Sequence, residues 1–359
     1  MTTNSSNRIR IKDIAGKAGV SVGTVDRVLH NRGEVAPETR EQVMKVIEEL
    51  GYTPNLLAKS LASKKLYRIA VIIPDSSNDN LYWEKPLEGI QQANSEIKDY
   101  NARVEVFTFD INNERNFKQA FKRALETEPD GIVLAPMFSS SSLDLVAKCE
   151  SHNIPYIFID VQLDGCNNLA YFGHNARQSG YLAARLMYYG LPDSSEVLVV
   201  KLAGNDGVSQ HLLRREEGFL EFFSGLENTR NIHTHSAEIH PEGESLESVL
   251  DSKLADCNRL KGIFVCNSKV HRIAEYLQKA GREDILLIGF DLIDKNMHFL
   301  ENGTIDFLIG QKPEDQGYKS VIALFNHLLS QKDVQRTNYS PIEIIMRENI
   351  DFYKNHEIQ

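Results

Sequence analysis

The sequence predicts a small all-α headpiece followed by a larger α/β body that contains two parallel β-sheets. Residues 1–50 place apolar side chains at helical spacing between recognisable cap residues. From residue 67 onward, apolar β-branched runs alternate with amphipathic helical segments, which is typical of parallel sheets covered on both faces. Charge divides the chain at the same place, since residues 1–66 hold eleven Lys/Arg against seven Asp/Glu.

The charge distribution predicts which part of the chain meets other molecules. The 359 residues are 42% hydrophobic and 25% charged, which is enough for more than one core, and the net charge is −10. The first 66 residues carry +4, so the remainder carries −14. A basic head on an acidic body indicates that only the head binds a polyanion.

The headpiece has three predicted helices. The first, "IKDIAGKAG", ends at Gly19, and the second begins after a tight turn with Ser21 as its N-cap. The third, "PETREQVMKVIEELG", starts with Pro37 at its first position and stops at Gly51. Residues 51–66 form a hinge segment that is too short and too weakly apolar to fold alone.

The body contains nine runs predicted as strands: RIAVIIPD, RVEVFTFD, GIVLAP, PYIFID, LAYFG, EVLVVKLAG, GIFVCN, ILLIGFD and IDFLIGQ. They fall into two sets that break near residues 172–173, which predicts an N-lobe (about 67–171 and 311–335) and a C-lobe (about 172–310 and 336–359). Ligands of such folds bind at the carboxyl ends of strands. Those ends are polar here, at Asp75, Asp110, Asp160, Asn267, Asp291 and Gln311.

Other classes of protein lack support in the sequence. No apolar run resembles a signal peptide or a membrane span, and Cys149, Cys166, Cys257 and Cys266 have no metal-site spacing. We therefore expect a cytoplasmic protein without a cofactor, a metal or a membrane partner. The chain also lacks the P-loop, dinucleotide, hydrolase and zinc-protease motifs of common enzymes, so we expect no enzymatic activity.

The headpiece motifs carry a family resemblance. The stretch "IKDIAGKAGVSVGTVDRVLHNRGEVAPETREQVMKVIEELGYTPNLLAKSLA" resembles the helix-turn-helix headpiece and hinge helix of the lactose-repressor (LacI) family. The body resembles the type I periplasmic-binding-protein-like effector domain of that family, two Rossmann-like subdomains, through "LIGFD" and "IGQKPEDQGYKS". The resemblance implies a homodimeric regulator that binds a palindromic operator in double-stranded DNA.

The resemblance also implies the residues that contact DNA. They are Arg10, Ser21, Val22, Gly23, Thr24, Asp26, Arg27, His30, Thr39, Asn55, Ala58, Lys59 and Leu61. At the start of the second helix, Val22 offers apolar contact to a thymine methyl, and Gly23 allows close approach. Arg27 reads guanine by a bidentate contact, or else it contacts only a phosphate.

Three headpiece residues depart from the family pattern. Asp26 stands where the family usually has Ser; it either accepts from cytosine N4 or, as we favour, braces Arg27, Arg32 or Arg40. Arg10 replaces a Thr and can substitute a charged phosphate contact for the lost hydroxyl. Ala36 replaces a Ser without compensation, which puts the cap of the third helix in doubt.

In the hinge, Leu61 matches the leucine that the family wedges into the central base step, and Ala58 lets two paired hinge helices approach. The alternative is that Leu57 and Leu61 only dock the hinge on their own subunit. Asn55 follows Pro54 as an expected cap or phosphate contact.

The expected effector is a small sugar or sugar derivative, with a neutral sugar preferred over a sugar acid. Trp83, or Tyr82 as second choice, is the expected platform beneath its apolar face. The expected hydroxyl contacts are Asp160, Gln178, Arg215, Asn267, Asp291 and Gln311. Gln178 and Ser268 differ from the residues common in relatives, so the effector cannot be transferred from a named protein. We therefore expect a repressor controlled by this effector; the alternative is a periplasmic-type sugar-binding protein without a regulatory role.

Overall fold

A computed structural model describes residues 9–29, 33–50, 65–76, 81–204, 209–226, 230–240 and 245–356 of the chain. It separates an N-terminal helical unit from a body that begins at Leu66. The predicted hinge at 51–66 lies almost wholly outside the described residues. None of the helices in the described ranges combines the length and apolarity that a bilayer crossing requires.

The helical unit consists of α1 (Ile11–Ala18), α2 (Val22–Leu29) and α3 (Pro37–Leu50). Its small core is made by one apolar side of each helix, with Ile14, Val25 and Val43 fully buried. Gly19 ends α1 in the left-handed conformation (φ 62°), which glycine adopts without steric cost. The three predicted helices are therefore confirmed.

The first half of the body alternates strands and helices. In chain order these are β1 (Tyr67–Pro74), α4 (Glu84–Ile97), β2 (Ala102–Phe109), α5 (Glu114–Glu126), β3 (Gly131–Leu134), α6 (Ser139–Ser151), β4 (Tyr156–Ile159) and β5 (Ala170–Gly173). Short 3₁₀ turns at Leu81–Trp83 and Lys98–Tyr100 flank α4.

The second half of the body also alternates helices and strands. The last elements of the chain then add to both lobes. It contains α7 (Ala176–Gly190), β6 (Glu196–Leu202), α8 (Gln210–Ser224), β7 (His233–Ile239), α9 (Leu246–Asp256), β8 (Leu260–Val265), α10 (Val270–Lys279), β9 (Leu286–Phe290), α11 (Asp294–Glu301) and β10 (Phe307–Gly310). The remaining elements are α12 (Pro313–Ser330), β11 (Thr337–Tyr339), β12 (Glu343–Ile345) and α13 (Ile350–His356).

Two six-stranded sheets organise the body, with strand orders β11-β5-β4-β3-β1-β2 and β12-β10-β9-β8-β6-β7. All described pairings are parallel except that of β10 with β12. The predicted lobe boundaries need two corrections. Phe172 and Gly173 belong to the first sheet because β5 pairs with β4, and residues 337–339 also join that sheet because β11 pairs with β5. The last crossing to the C-lobe therefore lies between residues 339 and 343.

Paired glycines bring two helices of each lobe into backbone contact. A Cβ added at Gly180 would lie 1.8 Å from the carbonyl oxygen of Arg215, and one at Gly218 would lie 1.9 Å from that of Arg177. In the N-lobe, Gly89 and Gly317 meet Glu314 and Pro86 in the same reciprocal way. Because no real Cβ tolerates such distances, these glycines fix the spacing of α7 against α8 and of α4 against α12.

Candidate functional site

The exposed side of α2 is the candidate DNA-reading surface of the headpiece. The Thr24 amide donates to Oγ of Ser21 at 3.0 Å, which confirms Ser21 as the N-cap. Val25 and Val28 are buried, whereas Val22 is 51% exposed and Arg27 is also exposed. The side chains expected to reach bases thus point away from the headpiece core.

No contact among the headpiece residues that the structure describes requires glycine at position 23. Its φ is not positive, and among these residues an added Cβ would meet only Oγ of Ser21, at 3.8 Å. Glycine nevertheless costs a helix interior about 1 kcal/mol relative to Ala. Close approach to DNA remains our prediction for this residue.

The structure describes only some of the other headpiece residues singled out in the sequence. The carboxylate of Asp13 accepts from the Arg10 backbone amide at 2.7 Å, which is one half of a capping box at the start of α1. Pro37 is the first residue of α3, as predicted. Asp26 is half-buried and Thr39 is half-exposed on α3. The remaining expected contacts lie outside the described residues: His30, Asn55, Ala58, Lys59 and Leu61.

A cavity of about 390 Å³ lies at the carboxyl ends of strands from both sheets of the body. This volume is within the range of roughly 300–1,000 Å³ typical of small-molecule sites. Seven of the eight expected ligand contacts line it: Tyr82, Trp83, Asp160, Arg215, Asn267, Asp291 and Gln311. The structure therefore brings residues from six separate segments of sequence to one site.

Two aspartates occupy equivalent positions in the two lobes. Asp160 follows β4 and Asp291 follows β9, and both have left-handed backbones with φ of 66° and 70°. The Tyr82 hydroxyl donates to Oδ1 of Asp160 at 2.8 Å, and Nε2 of Gln311 donates to Oδ1 of Asp291 at 2.6 Å. Each carboxylate is thus oriented by a side chain that also lines the cavity.

Arg215 supplies the buried positive charge of the site. It is 2% exposed, and its Nη1 donates to the carbonyl oxygen of Cys266 at 2.6 Å. Its Nη2 lies 2.9 Å from Nε2 of His174, and its guanidinium carbon lies 3.6 Å from the ring centre of Phe290. These contacts fix the guanidinium within the protein, and its charge acts on both aspartates.

Burial dominates the ionisation of the site. It raises the pKa of Asp291 to about 7, against the opposing effects of Arg215 and Gln311, and it raises the pKa of Asp160 in the same way. Burial together with Arg215 lowers the pKa of His211 to about 3 and that of His174 well below its usual value. Both histidines are therefore neutral near pH 7.

One expected ligand residue lies away from the cavity, and two that line it also have contacts within the protein. Gln178 is exposed near the start of α7, where its backbone N–H donates to Oδ1 of Asn175, and its side chain does not line the cavity. Trp83 lines the cavity but is only 2% exposed and packs edge-on against Tyr82, so most of its ring is covered by protein. Asn267 bridges the Leu202 carbonyl and the Lys269 amide, as a capping residue does.

Several lining residues were missed by sequence reasoning. They include Asn112, Glu114, Met137, Phe138, Ser139, Ser140, Ser209, His211 and Lys269. Phe138 follows β3, so the rule that strand ends are functional would have found it. Glu114 and His211 lie in the first turns of helices that follow strands, where sequence pattern indicates only a helix start.

Family models match both parts of the chain. A model of bacterial regulatory proteins of the lacI family matches residues 10–55, and a periplasmic binding protein domain model matches residues 69–332. A crystal structure described as a LacI transcriptional regulator from Bacteroides fragilis superimposes with a TM-score of 0.72 at 33% identity, covering 80% of this chain and 100% of that one. The chain belongs to the LacI family. It is a DNA-binding transcriptional regulator.

Two curated members of the LacI family align with nearly the whole chain. The sucrose operon repressor of Lactococcus lactis subsp. lactis is 24% identical over 94% of this chain and 98% of its own length. The ribose operon repressor of Halalkalibacterium halodurans is 27% identical over 97% of this chain and 98% of its own length. The resemblance therefore spans headpiece and body together.

Proposed function

We propose that this LacI-family chain is a homodimeric repressor whose affinity for a palindromic operator is controlled by a neutral sugar bound in the cavity. The observation that carries the proposal is the pair of aspartates, Asp160 and Asp291, that face one cavity from the two lobes. A ligand held by both carboxylates would tie the position of one lobe to that of the other.

The charges around the cavity favour a neutral effector. Three carboxyl groups line the cavity, on Glu114, Asp160 and Asp291, against one lysine, Lys269. The guanidinium of Arg215 is already held by protein acceptors. The two nearby histidines are neutral near pH 7. A phosphate or carboxylate group would therefore meet acidic side chains, whereas sugar hydroxyls can donate to them.

The names of the relatives support the regulatory sign and the ligand class. The two full-length relatives are repressors of a sucrose and a ribose operon. We extend this to the present chain as relief of repression, in which the bound sugar lowers operator affinity. The expected DNA contacts, Arg27 above all, remain part of the proposal.

A screen of neutral monosaccharides and disaccharides against the full-length chain tests the effector. A ligand present at 100 times its Kd stabilises the folded protein by about 2.7 kcal/mol, which a thermal-shift assay detects. We expect stabilisation by a neutral sugar and none by the corresponding uronic acid. Stabilisation by the uronic acid alone would overturn the neutral-sugar assignment.

Calorimetry with Asp291→Ala tests whether the hit binds in this cavity. We expect the variant to lose sugar binding and to keep the operator affinity of the parent. Gln178→Ala is the matched control, because its exposed side chain does not line the cavity. Undiminished binding by Asp291→Ala would show that the sugar binds elsewhere.

A further inference from the structure

A cluster of three metal-ligating side chains lies at the end of the second sheet opposite the effector cavity. Glu196 is the first residue of β6, His235 is the third residue of β7, and Cys257 directly follows α9. Their ligand atoms all lie within 4.8 Å of one another. It is the one group of three such residues in the parts of the chain that the structure describes.

Two of these residues interrupt the apolar face of the sheet. Leu198, Val200 and Leu202 of β6 and Ala237 and Ile239 of β7 pack in the core beneath α9. Because side chains alternate along a strand, Glu196 and His235 point to this same face. Glu196 and His235 are thus polar residues at positions where the core-facing side of the strands is otherwise apolar, and they lie next to the buried Cys257.

The histidine faces the Glu196 carboxylate across the cluster without a hydrogen bond to it. Its side chain is 39% exposed, yet its Nε2 is buried and makes no hydrogen bond with any residue that the structure describes. This atom lies 3.8 Å from Oε1 of Glu196, too far for a hydrogen bond. Ligands of a tetrahedral Zn²⁺ ion at about 2.0–2.3 Å from the metal are roughly 3.3–3.8 Å apart, so the spacing of this pair suits a bridging cation.

The protein backbone already orients the other two ligands. The Arg259 amide donates to Oε2 of Glu196 at 3.3 Å, which leaves Oε1 directed toward His235. The Cys257 amide donates to the Lys253 carbonyl at 2.9 Å, which anchors the residue to the end of α9. Such supporting hydrogen bonds are typical of the residues that surround metal ligands.

We propose that Glu196, His235 and Cys257 bind Zn²⁺ and thereby fasten α9 to the edge strand β7. A thiolate, an imidazole and a carboxylate together select a borderline-soft ion such as Zn²⁺ over Mg²⁺ or Ca²⁺. Binding displaces the thiol proton of Cys257 to solvent and leaves a fourth position for water. The site is separate from the effector cavity, so it does not depend on the proposed function.

The test uses the tag-free, full-length chain, stripped with a chelator and titrated with Zn²⁺ and Co²⁺. We expect one Zn²⁺ per chain, a higher melting temperature with Zn²⁺, and a thiolate-to-cobalt charge-transfer band with Co²⁺. Cys257→Ser and His235→Gln should each weaken Zn²⁺ binding roughly tenfold or more and remove the thermal shift. Cys166→Ser and His152→Gln, which change a cysteine and a histidine outside the cluster, are the matched controls.

Two results would overturn the assignment. One is the absence of stoichiometric Zn²⁺ binding by the folded parent. The other is Zn²⁺ binding that survives unchanged in His235→Gln. This variant decides the question even where Cys257→Ser fails to fold, since the His235 side chain is partly exposed and its replacement removes little packing.

Discussion

At the scale of single residues, each lobe contributes one aspartate to the cavity, and the two aspartates differ in the side chain that donates a hydrogen bond to them. Each lobe places an aspartate in a left-handed backbone directly after a strand, and each aspartate receives one hydrogen bond from a cavity-lining side chain. Left-handed backbones at non-glycine residues are concentrated at functional sites, because the surrounding structure must hold them there. The shared geometry is the reason that our proposal centres on Asp160 and Asp291.

The raised pKa of Asp291 has a direct effect on stability. Its folded-state pKa of about 7 lies above that of an unfolded Asp, so the folded protein binds more protons between about pH 4 and pH 7. The free energy of unfolding should therefore fall as pH rises through this window, by about 1.4 kcal/mol for each unit of pKa shift as an upper bound. Denaturant unfolding measured from pH 4.5 to 8 should show a smaller decline in the free energy of unfolding for Asp291→Asn than for the parent. An equal dependence of this free energy on pH in both proteins would contradict the raised pKa of Asp291.

The same ionisation should control sugar binding. Hydroxyl donors favour the ionised carboxylate, so we expect effector affinity to rise as pH increases from 6 to 8 in the parent. Asp291→Asn should bind more weakly and lose most of this dependence. Calorimetry at several pH values measures both, and a parent affinity that does not vary with pH would count against a direct contact with Asp291.

Among the headpiece side chains, Arg27 is the one whose replacement we expect to change base preference most clearly. Arg27→Ala should weaken specific binding by about 1–3 kcal/mol and relax the preference at one base in each half-site. Lys59→Ala, as the expected phosphate contact, should weaken binding uniformly across sequences. Binding profiles over a library of operator variants separate the two. Identical base preferences in Arg27→Ala and the parent would assign Arg27 to the DNA backbone.

At the scale of elements, the strongly apolar segments could be predicted and the polar edges could not. The nine runs predicted as strands are all strands in the structure, because buried parallel strands have apolar side chains on both faces. The sequence pattern missed β7, β11 and β12, which are partly exposed edge strands with residues such as His233, Thr337 and Glu343. Missing β11 also misplaced the last lobe boundary.

The site was predictable where strands end and not where helices begin. Asp160, Asp291 and Gln311 follow strands, so the rule for α/β folds found them. Gln178 was expected from family resemblance alone, and the structure leaves it outside the cavity. The burial of the Trp83 ring depends on its packing against Tyr82, and the spacing of residues in the sequence does not predict such a contact.

Helix spacing in the C-lobe gives a prediction at this scale. A Cβ at Gly180 would clash with the backbone of Arg215, so Gly180→Ala should separate α7 from α8 and cost about 1–3 kcal/mol. Because α8 carries Arg215, the variant should also weaken sugar binding. Gly16→Ala is the control: a Cβ there meets no atom of the described residues within 4 Å, and alanine should stabilise α1 by up to about 1 kcal/mol. Denaturant unfolding and calorimetry should distinguish the two variants, and a fully stable Gly180→Ala would show that the helices can adjust.

At the scale of the whole molecule, charge asymmetry predicts how the regulator meets DNA. The first 66 residues carry +4 and the remainder −14, so attraction to phosphates is confined to the headpiece. Operator affinity should fall steeply with salt, because each neutralised phosphate releases counterions. Fluorescence anisotropy from 50 to 200 mM salt checks this. Affinity independent of salt would exclude a phosphate-dominated interface.

Binding of sugar and binding of operator should be thermodynamically linked. If sugar and operator bind to one two-state molecule, saturating sugar must weaken operator binding by the same factor by which operator weakens sugar binding, a coupling of about 1–3 kcal/mol. Measuring each affinity in the presence of the other ligand tests this equality. An operator affinity that saturating sugar leaves unchanged would mean that the bound sugar is not an effector.

The chain passes between the two lobes three times, after β5, after β10 and after β11. This connectivity affects how the protein folds during its synthesis. The first sheet lacks its outer strand until residues 337–339 have been synthesised, and the second lacks β12 until residue 345. A nascent chain emerging from the ribosome would therefore hold two incomplete sheets with open edges until nearly all of its residues are out. Translation that stops early would leave both lobes unfinished together, so premature termination late in the message should yield aggregation-prone fragments instead of a working half.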